Sequence, residues 1–190
     1  MNRSVLIILI HQIVFQGMFI AKNVSLRRKL GMPIRGRNRE TSLSIGFFGL
    51  FIIVSILLSL FDTPFGTIKL VTRTTAIVVA LALLAINILV GWASLIGLRD
   101  SWRVGVLEDQ QTDLIEGGIY RFSRNPYFLA YLILFAAYTV LLQNVILLFL
   151  SLVGFTMIHS MVLKEEKHLT VLHGDTYLQY RERVPRYIFV

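Results

Sequence analysis

Charged residues in this chain are gathered into a few blocks. Between them lie four stretches with no acid, lysine or arginine: residues 4–21, 41–61, 74–98 and 125–163. A bilayer's hydrocarbon core takes roughly 20 helical residues to cross, so each of the first three is predicted to span once. The fourth is too long for one crossing and carries Gln143 and Asn144 at its midpoint. A polar pair there suits a tight hairpin outside the core, with helices over about 127–142 and 145–163. The predicted fold is all-α: one polytopic membrane domain over 1–190 with about five transmembrane helices. Three of these helices fall in 1–98; the hairpin and a charged tail fall in 99–190.

Composition agrees with this. Hydrophobic residues make up 55% of the 190 residues, and the mean hydropathy is +0.69. Cysteine is absent, which excludes disulfides, thiolate metal ligands and cysteine nucleophiles. Asn2-Arg3 ahead of the first apolar run could announce a signal peptide. No small-residue cleavage site follows, however, and His11, Gln12 and Gln16 interrupt the run, so a retained helix is expected.

The net charge of +8 is explained by where the charges lie. Residues 22–40 carry Lys22, Arg27, Arg28, Lys29, Arg35, Arg37 and Arg39 against Glu40. Residues 99–124 carry Arg99, Arg103, Arg121 and Arg124, and the tail carries Lys164, Lys167, Arg181, Arg183 and Arg186. Five crossings put all three blocks on one side, which the positive-inside rule makes the cytoplasm, with the N-terminus outside. The location expected is a prokaryotic inner membrane. The basic charge therefore serves topology and anionic headgroups, and nucleic-acid binding is not expected.

Except for Asp62, the acids lie on the same side: Glu40, Asp100, Glu108, Asp109, Asp113, Glu116, Glu165, Glu166, Asp175 and Glu182. A bundle that only filled the bilayer would not need them, so a site is expected at this face. Trp102 and Arg103 read as an interfacial anchor. Glu116-Gly117-Gly118 should turn the chain, because glycine accepts positive φ. Asn125 is a candidate N-cap and Pro126 a first helical residue, which aims a helix N-terminus at the charged face. A capped start with snorkelling arginines and an anion site are equally good readings of this turn. Helix formers 164–169 should carry the last membrane helix past Leu163, with Gly174 ending it and Asp175 capping a short helix that holds Tyr177 and Tyr180. Taken alone, Glu165-Glu166 reads as a solvated helix face. Lone polar residues in apolar runs, His11, His159 and Asn87, read first as bonded partners between helices.

"LIEGGIYRFSRNPYFLAY" followed by "KEEKHLTVLHGDTYLQYRERVPR" resembles the C-terminal signature of the isoprenylcysteine carboxyl methyltransferase and phospholipid methyltransferase superfamily of integral membrane enzymes. The matching pieces are Gly118-Ile119-Tyr120, Arg124-Asn125-Pro126-Tyr127-Phe128, Glu165-Glu166, and Gly174, Tyr177, Tyr180 and Val184-Pro185-Arg186. The resemblance implies methyl transfer from S-adenosylmethionine to a lipophilic or amphiphilic carboxylate, amine or thiol at the cytoplasmic face. It implies a cofactor site of Thr112, Asp113, Leu114, Ile115, Tyr120, Asn125, Pro126, Tyr127, Phe128, Glu165 and Glu166. Arg124, Glu165 and Glu166 would be catalytic, and no metal is implied. No G-x-G-x-x-G follows a predicted strand, so no dinucleotide-type fold competes. Two departures stand out: Asn125 replaces a common histidine, and Met161 stands where the isoprenylcysteine enzymes tend to carry an arginine. The alternatives are an NADPH-dependent membrane reductase of the sterol reductase type and a non-catalytic membrane partner.

Overall fold

The structure, a computed structural model, describes residues 2–32, 34–35, 39–61, 65–104 and 112–188, apart from the Glu40 side chain. Arg37, Asp62, Glu108 and Asp109, named above, lie outside the described residues. Six α-helices follow in order: α1 Arg3–Leu30, α2 Arg39–Phe61, α3 Arg73–Gly97, α4 Pro126–Leu142, α5 Val145–His173 and α6 Asp175–Arg183. Among the described residues there is no strand, only isolated bridges. Helices α1, α2, α3 and α5 are long and apolar enough to cross a membrane, and α4 is a shorter apolar helix of 17 residues.

The two ends of the bundle are built differently. At one end the α4–α5 turn is two residues long, with Gln143 in the left-handed region at φ 45°. The segment before α3 closes it: Gln143 Oε1 accepts from the amides of Leu70 and Val71, each at 2.9 Å. Its carbonyl accepts from the Ile68 amide, and Asn144 caps α5 by accepting from the Ile146 amide. A turn at the hydrocarbon border needs this closure, because no water replaces a missing partner there. At the other end lie the C-terminus of α1, the N-terminus of α2, the stretch after α3, the N-terminus of α4 and the charged extension of α5. Lys29 meets Asp100 at 2.6 Å and Lys22 donates to the Arg99 carbonyl at 2.7 Å. All three basic blocks are therefore at one end.

Packing inside the bundle follows membrane rules. Lipid tails are as apolar as leucine, so helices associate through close packing and hydrogen bonds. On α3 the buried stripe is Ala76, Ala80, Leu84, Asn87, Gly91, Ser94 and Leu95, mostly small residues. A Cβ on Gly91 would come 3.0 Å from the Phe15 ring. Within this layer His11 bonds Asn87 Oδ1 at 2.8 Å and the Tyr138 hydroxyl at 3.0 Å. Asn87 also donates to the Ala130 carbonyl at 2.6 Å, and Gln12 donates to Tyr138. One polar key thus ties α1, α3 and α4, and the expected interhelical role of His11 and Asn87 is met. His159 contacts the Tyr187 hydroxyl at 3.3 Å and stacks on Phe155.

Asn87→Leu should remove both bonds of the amide and leave His11 and the Ala130 carbonyl short of partners. The expected loss is about 1–2 kcal/mol in a detergent unfolding titration; an unmoved midpoint would show that the key contributes nothing.

Candidate functional site

The site begins at the turn into α4. Gly118 takes φ 62° at the start of a short 3-10 helix, Gly118–Arg121, which buries the Tyr120 ring beneath the end of α3. The Tyr120 carbonyl accepts from the Tyr180 hydroxyl at 2.7 Å, anchoring α6 to the turn. Burial, with the Glu165 carboxylate nearby, pushes the Tyr120 phenol well above its ordinary pKa. Burial also raises the Tyr180 phenol. Both are neutral donors at physiological pH.

Asn125 stands at the N-cap of α4, but its side chain makes no capping bond. Ser123 Oγ instead accepts from the Asn125 amide at 3.2 Å and donates to the Arg186 carbonyl at 3.2 Å. The Arg124 amide donates to the Pro185 carbonyl. The Asn125 amide group is spent elsewhere, on Glu166 Oε1 at 3.0 Å and the Arg186 carbonyl at 3.3 Å. Asp175 likewise does not cap α6; Gly174, at φ 53°, occupies that place and Asp175 is the first helical residue.

Glu166 is the centre of this arrangement. Arg186 clamps it with Nε on Oε1 and Nη2 on Oε2, both at 3.0 Å. Arg124 Nη1 lies 3.2 Å from Oε2. With Asn125, three hydrogen bonds and the Arg124 ion pair converge on this carboxylate. Glu166 is 6% exposed. Arg124, with a side chain 7% exposed, is buried in the wall of the site and does not snorkel. Arg186, present in the tail signature but given no role from sequence, thus emerges as a structural partner of the site.

In front of these groups opens a cavity of about 360 Å³. α5, at 29 residues, outruns α4, at 17, and the stretches 98–104 and 112–115 wall the space above the start of α4. Of the residues expected from sequence, Thr112, Asp113, Leu114, Ile115, Tyr120, Arg124, Asn125, Pro126, Tyr127, Phe128 and Glu165 all line it; Glu166 does not. The neighbouring glutamates therefore separate. Glu166 is consumed by the protein, whereas Glu165 faces the cavity and has no hydrogen bond or ion pair among the described residues. Arg124 Nε is buried without a partner beside the same cavity.

Other wall residues were not foreseen. Trp102, expected at the membrane interface, is 5% exposed; it donates to Asn23 at 2.7 Å and meets Tyr127 edge-on at 4.8 Å. The reason is that the chain after α3 folds back over the C-terminus of α1. Phe19 from α1 and Ser44, Phe47 and Phe48 from α2 complete the walls, and nothing in their uniform hydropathy marks them. Met161 also lines the cavity and accepts from Ser44 Oγ at 2.8 Å. Asp113, Arg124, Asn125, Glu165 and His168 line the charged end of the cavity, and Phe128, Tyr131, Phe135, Met157 and Met161 line much of the rest, with Ser44 and Gln16 among them.

Glu166→Gln removes the one charge shared by Arg124 and Arg186. Breaking a buried pair in this way typically costs about 3–5 kcal/mol; unfolding at the wild-type midpoint would contradict the central role given to this carboxylate.

The comparison with curated proteins returns no match. The pattern of the phospholipid methyltransferase family matches residues 75–176, which contain nearly all of α3, the turn, α4 and α5 with both glutamates. With more than half of its length so matched, the chain belongs to the phospholipid methyltransferase family, within the wider group of membrane methyltransferases.

Proposed function

We propose that this membrane methyltransferase transfers a methyl group from S-adenosylmethionine to a lipophilic or amphiphilic acceptor at the cytoplasmic face. The observation that carries the reading is the split between the glutamates: a buried, fully paired Glu166 holds the frame, and an unpaired Glu165 is presented to the cavity.

The residues fit the donor. An unpaired carboxylate can accept from both hydroxyls of a ribose or pair with a cationic group, as Glu165 is free to do. The unpartnered Arg124 Nε offers a buried donor to a carboxylate. Trp102 and Tyr127 place aromatic rings on the wall, where a sulfonium gains cation–π attraction. When bound, S-adenosylmethionine supplies an electrophilic methyl group whose sulfur leaves as a neutral thioether.

The remaining work is positional. Glu166 with Arg124 and Arg186 ties the turn to the tail, so the wall residues are held before anything binds, and alignment of the reacting atoms needs little further ordering. The apolar lower walls exclude water from the approach of the acceptor. An acceptor carboxylate or thiolate needs no base, whereas an amine must shed a proton; Glu165 and His168, one turn apart on the same cavity wall, are the groups within reach of that end. Met161 offers no positive charge to an acceptor carboxylate, which favours acceptors other than a prenylcysteine-type acid.

Titrating the purified protein with S-adenosylhomocysteine, and separately with NADPH, tests the reading. Binding of the adenosyl ligand alone is expected; NADPH binding without it would favour the reductase alternative. Glu165→Ala should lower adenosyl-ligand affinity at least about tenfold, the ~1.5 kcal/mol of a hydrogen bond to a charged group. Thermal stability should be retained, since Glu165 holds nothing in place. Unchanged affinity would remove Glu165 from the site.

A further inference from the structure

The lower part of the cavity has a definite end. On α5 its wall descends from Glu165 through Met161, Ile158 and Met157 to Gly154; on α4 it descends through Phe128 and Tyr131 to Phe135. These spacings keep to one face of each helix. At the bottom the Phe135 ring sits directly on Gly154. A Cβ built on Gly154 would lie 2.5 Å from Phe135 Cε2, 2.9 Å from its Cζ and 3.0 Å from Phe47 Cε1. Phe135 is 3% exposed and is held edge-on by Phe51 at 4.7 Å and by Phe47 at 6.3 Å. The ring can occupy this place only because residue 154 has no side chain. Higher up, Ile45 lines the cavity and is yet 45% exposed, so the α2 wall is open at that level.

We infer that the lower cavity is a measured slot for one alkyl or acyl chain of the acceptor, with Phe135 seated on Gly154 as the floor that limits chain length. From Glu165 to Gly154 the wall descends about 16 Å at ~1.5 Å per residue. A zigzag chain of ~1.5 Å carbon–carbon bonds covers that depth in roughly a dozen carbons. The occupant is apolar because the walls between Met161 and Phe135 are predominantly aromatic, aliphatic and thioether side chains, with Ser44, which donates to Met161, and Gln16 the polar members of the lining. Its width is taken as that of one chain, because the lining is one stripe each of α4 and α5, closed by Phe47 and Phe48 from α2. Selection is by exclusion: a chain leaving lipid for this slot gains no hydrophobic energy, but one too long collides with a ring that is itself packed. The methyl-transfer reading enters only in the choice of which end of the chain lies near Glu165.

The test uses the full-length protein in lipid nanodiscs without methyl donor. The probes are n-alkylamines of graded length with a photoreactive diazirine at the terminal carbon, and labelled residues are mapped by mass spectrometry. Labelling should move down α4 and α5 as the chain lengthens, reach the neighbourhood of Phe135 and Gly154 at about a dozen carbons, and then fall about tenfold or more for chains a few carbons longer, as overpacking a filled site demands. Phe135→Leu should restore labelling to chains at least about two carbons longer, because the floor drops by part of a ring. Gly154→Ala should shift the cut-off the other way by pushing Phe135 into the slot. Labels scattered over outward-facing residues whatever the chain length, or one cut-off shared by wild type and Phe135→Leu, would overturn the inference. S-adenosylhomocysteine titration of Phe135→Leu separates the two readings: the donor end should bind as in wild type, and loss of donor binding in wild type itself would sink the methyl-transfer proposal while leaving the labelling result to stand.

Discussion

One carboxylate organises the charged end of this protein. Glu166 receives two guanidinium groups and one amide, drawn from α4's entry turn and from the C-terminal tail, while it rides on the extension of α5. Without it, the buried Arg124 would be an uncompensated charge, and the tail would lose the Arg186 clamp while keeping its backbone bonds to Ser123, Arg124 and Asn125. Glu166 acts on the cavity from behind, since Arg124 and Asn125 belong to both the clamp and the wall. Such a pair contributes little net stability over an apolar substitute, yet it fixes one geometry once it is present.

Below this clamp the frame is set by the shortage of driving force in lipid. Small residues on α3 admit close approach, and the His11, Asn87, Tyr138 and Gln12 bonds supply direction that apolar contact lacks. At the far end, Gln143 and Asn144 close the α4–α5 hairpin against the segment before α3. Helix α4 is therefore fixed at its foot by the hairpin, at Tyr138 by His11 and Gln12, at Ala130 by Asn87 and at its head by Glu166. This fixed helix supplies the aromatic wall of the cavity.

The cavity joins a charged rim to largely apolar walls. Its upper rim carries Asp113, Arg124 and Glu165, and its lower walls carry Tyr131, Phe135 and Met157. Under the proposed reading, a polar methyl donor would sit at the rim and a lipid chain of the acceptor along the lower walls.

Much of this was legible in the sequence. Uncharged runs of bilayer length, a polar pair inside an overlong run and basic blocks on alternate loops specified the helices, the hairpin and the common charged end, because hydration cost acts on each segment locally. The turn at Gly118 was legible for a similar local reason, as were the cavity's residues near α4, through resemblance. The tertiary structure alone decided which glutamate does what. Successive helical residues point about 100° apart, so Glu165 and Glu166 cannot face the same way, and which faces the cavity depends on how α5 is rotated against α4. It also turned Asn125 from a cap into a ligand of Glu166, drew Trp102 inward, and recruited walls from α1 and α2. Those outcomes rest on contacts between segments far apart in sequence, and no local pattern of residues carries that information.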